Sequence, residues 1–118
     1  MGELGILLFL SPFQHRAPET AVRLAQAAVH EGHRVTVFFL GDGVYNTSRA
    51  LADANPDSVV RRFADLPPDV RLVNCTTCAR ARGLVDAALV PRAENGTLED
   101  LSDLLLSADR FVTMTQEG

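Results

Sequence analysis

The 118-residue chain contains no lysine; its eleven basic side chains are all arginines. That excludes lysine Schiff-base chemistry, including the usual attachment of pyridoxal phosphate. It also excludes a P-loop, whose lysine must reach the phosphates. Cysteine is scarce, with only Cys75 and Cys78. Two thiols three positions apart do not build the disulfide framework of a small secreted domain. They also fall short of a four-ligand zinc site, and His15, His30 and His33 stand far away without ligand spacing, so no metal is expected. No apolar run approaches the roughly 20 residues that cross a bilayer. Met1-Gly2-Glu3-Leu4 lacks the basic region of a secretory signal, so the expected compartment is the cytoplasm, without membrane association. Basic charge is not in excess: the net charge of −4 and pI of about 5.2 leave no electrostatic footprint for direct nucleic-acid binding.

What is present fits one globular domain over residues 1–118, with an apolar share of 47% that is enough for a core without staples. Gly5-Ile6-Leu7-Leu8-Phe9-Leu10 is apolar at every position, as in a central strand buried on both faces. Pro18 and Glu19 suit the first turn of a helix. Ala21, Leu24, Ala25, Ala28 and Val29 give that helix an apolar face, and Gly32 stops it. Arg34 to Leu40 reads as a second strand, so the first 40 residues form a right-handed βαβ unit.

Gly41-Asp42-Gly43-Val44-Tyr45-Asn46 follows at the carboxyl end of that strand, the edge where sites collect in open α/β sheets. It reads equally as an ordinary strand-to-helix turn, and it has too few glycines for a dinucleotide fingerprint. Short helical segments are expected around Arg49–Ala52 and Val59–Phe63, separated by Asn55-Pro56-Asp57. Val70 to Val73 is a third strand ending at Asn74-Cys75, and Thr76 to Arg82 a helix stopped by Gly83. Asn95-Gly96 reads as a turn. Thr97 and Asp100 have capping-box spacing ahead of a helix bearing Leu98, Leu101, Leu104 and Leu105. Arg110 to Met114 is a last strand. The whole describes a three-layer α/β/α domain around a mostly parallel sheet.

Cys75 stands where the third strand runs into a helix. Backbone N–H groups and the partial positive charge of a helix start favour a thiolate there, and the thiolate is the nucleophile. Cys78 and Arg82 lie three and seven positions further on, near the same helical side. Three readings stand side by side. Both thiols are simply buried, as free cysteines commonly are. The Cys-x-x-Cys pair is a dithiol oxidoreductase, although a thioredoxin-type site usually falls near the start of its domain and this pair lies in the second half. Or Cys75 is a reactive thiol. Arg80 and Arg82 read as a solvated helix face or as partners for an anionic sulfur species, Arg82 being the better placed.

Several segments together resemble the DsrE/DsrF-like family, whose TusD-like and DsrE-like branches are intracellular sulfur-relay proteins. They are Phe38-Phe39-x-x-Asp42-Gly43-Val44-Tyr45-Asn46, Asn74-Cys75 followed by Ala79 and Arg82-Gly83, Ala25-x-x-x-Val29-x-x-Gly32-His33, and Ser107-Ala108-Asp109-Arg110-Phe111-Val112. The resemblance covers nearly the whole chain in consistent order. It implies a flavodoxin-like fold of the DsrE/F type and homo- or hetero-oligomers, trimers or hexamers. It implies a sulfurtransferase that carries sulfane sulfur as a persulfide on Cys75, between donor and acceptor proteins, toward sulfur oxidation or tRNA 2-thiolation. Asp42, Tyr45, Asn46 and Arg82 are then expected around the pocket, with Tyr45 able to donate to a sulfur anion, and no cofactor is needed. Cys78 departs from a single-cysteine carrier: it resolves the persulfide, holds a second sulfur, or has no role. A non-catalytic subunit of a hetero-oligomer is the competing class.

Overall fold

The computed structural model describes residues 2–115; Met1 and residues 116–118, which the sequence reading includes in its single domain, lie outside them. Five strands, β1 (Glu3–Leu8), β2 (Arg34–Phe39), β3 (Val70–Cys75), β4 (Ala93–Gly96) and β5 (Arg110–Met114), form one sheet in the order β4-β3-β2-β1-β5. Every pairing is parallel. The helices are α1 (Ala17–His30), α2 (Arg49–Ala54), α3 (Val59–Ala64), α4 (Thr76–Ala81) and α5 (Leu98–Ser107), with 3₁₀ helices at Gly41–Thr47 and Asp86–Ala88. The chain winds outward from β1 to β4 and then returns to place β5 on the other side of β1.

Alternation along the strands divides the core in two. Ile6, Leu8, Val35, Val37, Phe39, Val70 and Leu72 face α1 and α3, where Ala21, Val22, Ala25, Val59, Val60 and Phe63 complete the larger cluster. Phe39 and Phe63 meet edge to face with centroids 5.2 Å apart, a preferred aromatic arrangement. Leu7, Phe38, Val73 and Cys75 point the other way, against Leu104 of α5. The cysteine that drew attention in the sequence therefore sits in the thinner layer.

Local chemistry explains the less regular parts. Ser48 and Ser58 cap α2 and α3, each accepting an N–H three residues on at 3.3 Å. Thr97 and Asp100 close the capping box of α5 reciprocally. The helix face expected there is only half used: Leu104 is buried and Leu101 partly so, whereas Leu98 and Leu105 are exposed. Asn95-Gly96 is not a turn. It ends β4, with Asn95 beside Asn74 and Gly96 beside Cys75. The open edge of β3 gives this polar segment a ladder of backbone partners, which outweighs its local turn preference.

The 3₁₀ helix at Gly41–Thr47 lies against the end of β1. A Cβ on Gly43 would come within 2.1 Å of the Leu8 carbonyl oxygen. Because the obstacle is backbone, it cannot swing aside. Gly43→Ala should therefore destabilise the domain by about 1–3 kcal/mol, as overpacking does. The check is the urea midpoint, and an unchanged midpoint would contradict this packing.

Candidate functional site

The site grows from the end of β3. Cys75 is both the last residue of that strand and the N-cap of α4, with extended backbone (φ −67°, ψ 113°). Its Sγ accepts the Cys78 N–H at 3.5 Å, and its side chain is only 4% exposed. Asn74 just before it is fully buried, and its Nδ2 donates to Thr47 Oγ1 at 2.7 Å. Thr47 in turn donates to the Val44 carbonyl at 2.8 Å. Asn46 Nδ2 donates to the carbonyls of Gly43 and Leu10, both at 2.9 Å. These bonds fasten the 3₁₀ helix between the ends of β1 and β3. On the other side, Thr76 Oγ1 donates to the Gly96 carbonyl at 2.8 Å, tying α4 to the end of β4.

Between these elements lies a largely apolar hollow of about 360 Å³, lined by Leu40, Cys75, Thr76, Thr77, Cys78, Gly96, Thr97 and Leu98. It opens at the carboxyl ends of the parallel strands, where α/β folds place their ligands. A Cβ on Gly96 would meet Val73 Cγ1 at 2.5 Å and Phe38 Cε2 at 3.3 Å, so any larger residue would press on the wall behind the thiol. Both cysteines are free, Cys75 buried and Cys78 half-buried.

Burial pushes the Cys75 thiol above its ordinary range. The backbone N–H groups of Cys78 and Thr77 act in the opposite direction, while the neighbouring Cys78 side chain adds to the rise. The lowered pKa expected from a strand-to-helix junction is thus reversed: desolvation in the α5-side core outweighs the short α4.

The residues anticipated around the pocket divide. Arg82 donates through Nε to Asp42 Oδ1 at 2.9 Å and through a terminal nitrogen to the Cys78 carbonyl at 3.0 Å. This contact holds its guanidinium in the charged form and joins α4 to the 3₁₀ helix. Asp42 is exposed and Arg82 partly so, and solvent screening leaves the pair at most about 1 kcal/mol. Tyr45 packs half-buried against the larger cluster, and Asn46 is a buried brace. Asp42, Tyr45, Asn46 and Arg82 are not among the residues lining the hollow. Leu40, Gly96, Thr97 and Leu98 line it without having been expected at the site. Their only signal was position, at the end of β2 and between β4 and α5.

Fold and site define a parallel α/β domain with a buried thiol at the carboxyl edge of its sheet. The chain belongs to the DsrE/DsrF-like family, whose sequence pattern matches residues 4–114. It is 33% identical to the putative sulfurtransferase DsrE of Allochromatium vinosum, covering 86% of this chain and 89% of that protein. It is 32% identical to sulfurtransferase TusD of Sodalis glossinidius, covering 85% and 88%. The crystal structure of the ychN protein from E. coli superposes with a TM-score of 0.85 at 25% identity, covering 97% of this chain and all of that one. Among the described residues, no helix is long and apolar enough to cross a membrane.

The raised thiol has a direct consequence for pH dependence. The Cys75 thiolate should form at higher pH in the folded protein than in the unfolded chain. Alkylation rate against pH, measured on Cys78→Ser with and without urea, should show the folded midpoint above the unfolded one. A folded midpoint below it would contradict the dominance of burial.

Proposed function

We propose that this protein is a sulfur-relay sulfurtransferase that carries sulfane sulfur as a persulfide on Cys75. The observation that carries this reading is a buried thiol facing an apolar hollow at the carboxyl edge of the sheet, in a chain related to proteins named DsrE and TusD sulfurtransferases. The Cys75 thiolate attacks the outer sulfur of a donor persulfide, a new S–S bond forms, and the donor leaves as a thiolate. An acceptor thiolate later attacks that same outer sulfur and expels the Cys75 thiolate, which collects the Cys78 N–H at 3.5 Å.

Burial suits storage as well as transfer. A persulfide is a stronger acid than its parent thiol, so the loaded site is charged under conditions where the empty site is neutral. Leu40 and Leu98 give the hollow an apolar lining beside the S–S bond. Asn74 and Thr47 act as positioning residues that fix the end of β3, and Asn46 ties the 3₁₀ helix to the chain just beyond β1. Arg82 and Asp42 fix α4 against the 3₁₀ helix. In this reading the partners are a donor and an acceptor protein, and the carrier works in the cytoplasm as a trimer or hexamer of identical or paralogous subunits.

Intact-protein mass after incubation with a small-molecule persulfide tests the assignment. Cys78→Ser should gain one sulfur atom, and Cys75→Ser should gain none while keeping its fold and assembly. Equal uptake by Cys75→Ser would overturn the role of Cys75. No uptake by any form would favour a non-catalytic subunit.

A further inference from the structure

A single-thiol carrier leaves Cys78 without a task, yet Cys78 lines the same hollow as Cys75. We propose that Cys78 discharges the Cys75 persulfide within the same subunit, forming a Cys75–Cys78 disulfide and releasing hydrosulfide. The inference rests on the carrier reading and gives the protein a second output, free sulfide in place of a delivered sulfane sulfur.

The step balances without an outside oxidant. The Cys78 thiolate attacks the inner sulfur, Cys75 Sγ; the Cys75–Cys78 bond forms, and the bond from Cys75 Sγ to the outer sulfur breaks. The proton that Cys78 gives up passes to the outer sulfur, which leaves with the electron pair as hydrosulfide. The two cysteine sulfurs are oxidised by one electron each, and the sulfane sulfur is reduced by two. A small dithiol reductant then returns both cysteines to thiols.

Three features favour this outcome. The first is reach. Residues three apart at the start of a helix lie side by side, within range of disulfide geometry, and the Cys78 backbone N–H already donates to Cys75 Sγ at 3.5 Å. Arg82 holds the Cys78 carbonyl at 3.0 Å while anchored to Asp42 at 2.9 Å, which fixes the residue that carries the attacking sulfur. The second is the leaving group. Attack on the outer sulfur would expel the Cys75 thiolate, a charge that burial disfavours. Attack on the inner sulfur expels hydrosulfide, which is less basic than an alkyl thiolate and therefore leaves faster. The third is access. Cys75 is buried but Cys78 is half-exposed, so a reductant can reach the disulfide from the Cys78 side.

The experiment loads wild type, Cys78→Ser and Cys78→Ala with glutathione persulfide and desalts them. Sulfide release and intact mass are then followed without added thiol. Wild type should end two hydrogens lighter than its reduced form, with one sulfide released per chain. Its release should be at least ~10-fold faster than in either variant, as intramolecular attack is strongly favoured. Both variants should keep the added sulfur. Wild type holding its sulfur as long as the variants, or carrying it on Cys78 by peptide mapping, would overturn the inference and leave the carrier reading intact. Variants that take up no sulfur at all would overturn the carrier reading, and the inference with it.

Discussion

The Asn74 amide, wholly buried and 2.7 Å from Thr47 Oγ1, joins the end of β3 to the 3₁₀ helix that follows β2. Its buried N–H donor needs an acceptor, because leaving one unsatisfied costs roughly 1–3 kcal/mol; the Asn74 Oδ1 on the same side chain is buried without a partner. Meeting that need forces residues 27 positions apart in sequence into contact. Once they meet, the rest of the edge is determined. Cys75 emerges beside Gly96 of β4, α4 starts under Thr76, and Arg82 at the far end of α4 finds Asp42. The hollow is what remains between these fixed pieces, and its floor is the Cys75 sulfur.

Two effects compete at that sulfur, and their sizes decide its chemistry. The start of α4 offers two N–H groups, but the helix has only six residues, so its field is weak. Against it stands the loss of water around a thiol that packs with Phe38, Val73 and Leu104. Desolvation wins and the thiol stays protonated to higher pH. A thiol held protonated in this way is a weak nucleophile toward solution electrophiles. That suits a carrier whose sulfur should pass between partners and should not react with every thiol in solution.

Much of this architecture is legible in the sequence. The apolar runs at Ile6–Leu8 and Val35–Phe39 announce central strands because both faces are covered. The short helices expected around Arg49–Ala52 and Val59–Phe63 are there as α2 and α3, while their caps at Ser48 and Ser58 emerge only in the structure. The strand β4 is not legible: four residues, two of them Glu94 and Asn95, carry no apolar pattern, and only the edge of β3 makes them a strand. The wall of the hollow is hidden for the same reason. Leu40, Gly96 and Leu98 have no local mark of function and converge only through the parallel order β4-β3-β2. The thiol's environment also escapes the sequence, since a strand-to-helix junction specifies nearby N–H groups but not how deeply α5 covers them.

Under the proposed function, sulfur is held in the hollow beside Cys75. A crystal structure of Cys78→Ser after treatment with a sulfane-sulfur donor tests it most directly. One additional sulfur atom is expected on Cys75 Sγ, lying in the hollow between Leu40, Gly96 and Leu98. Chains shown by mass to carry the sulfur, yet with Cys75 unmodified and the hollow unchanged, would contradict it.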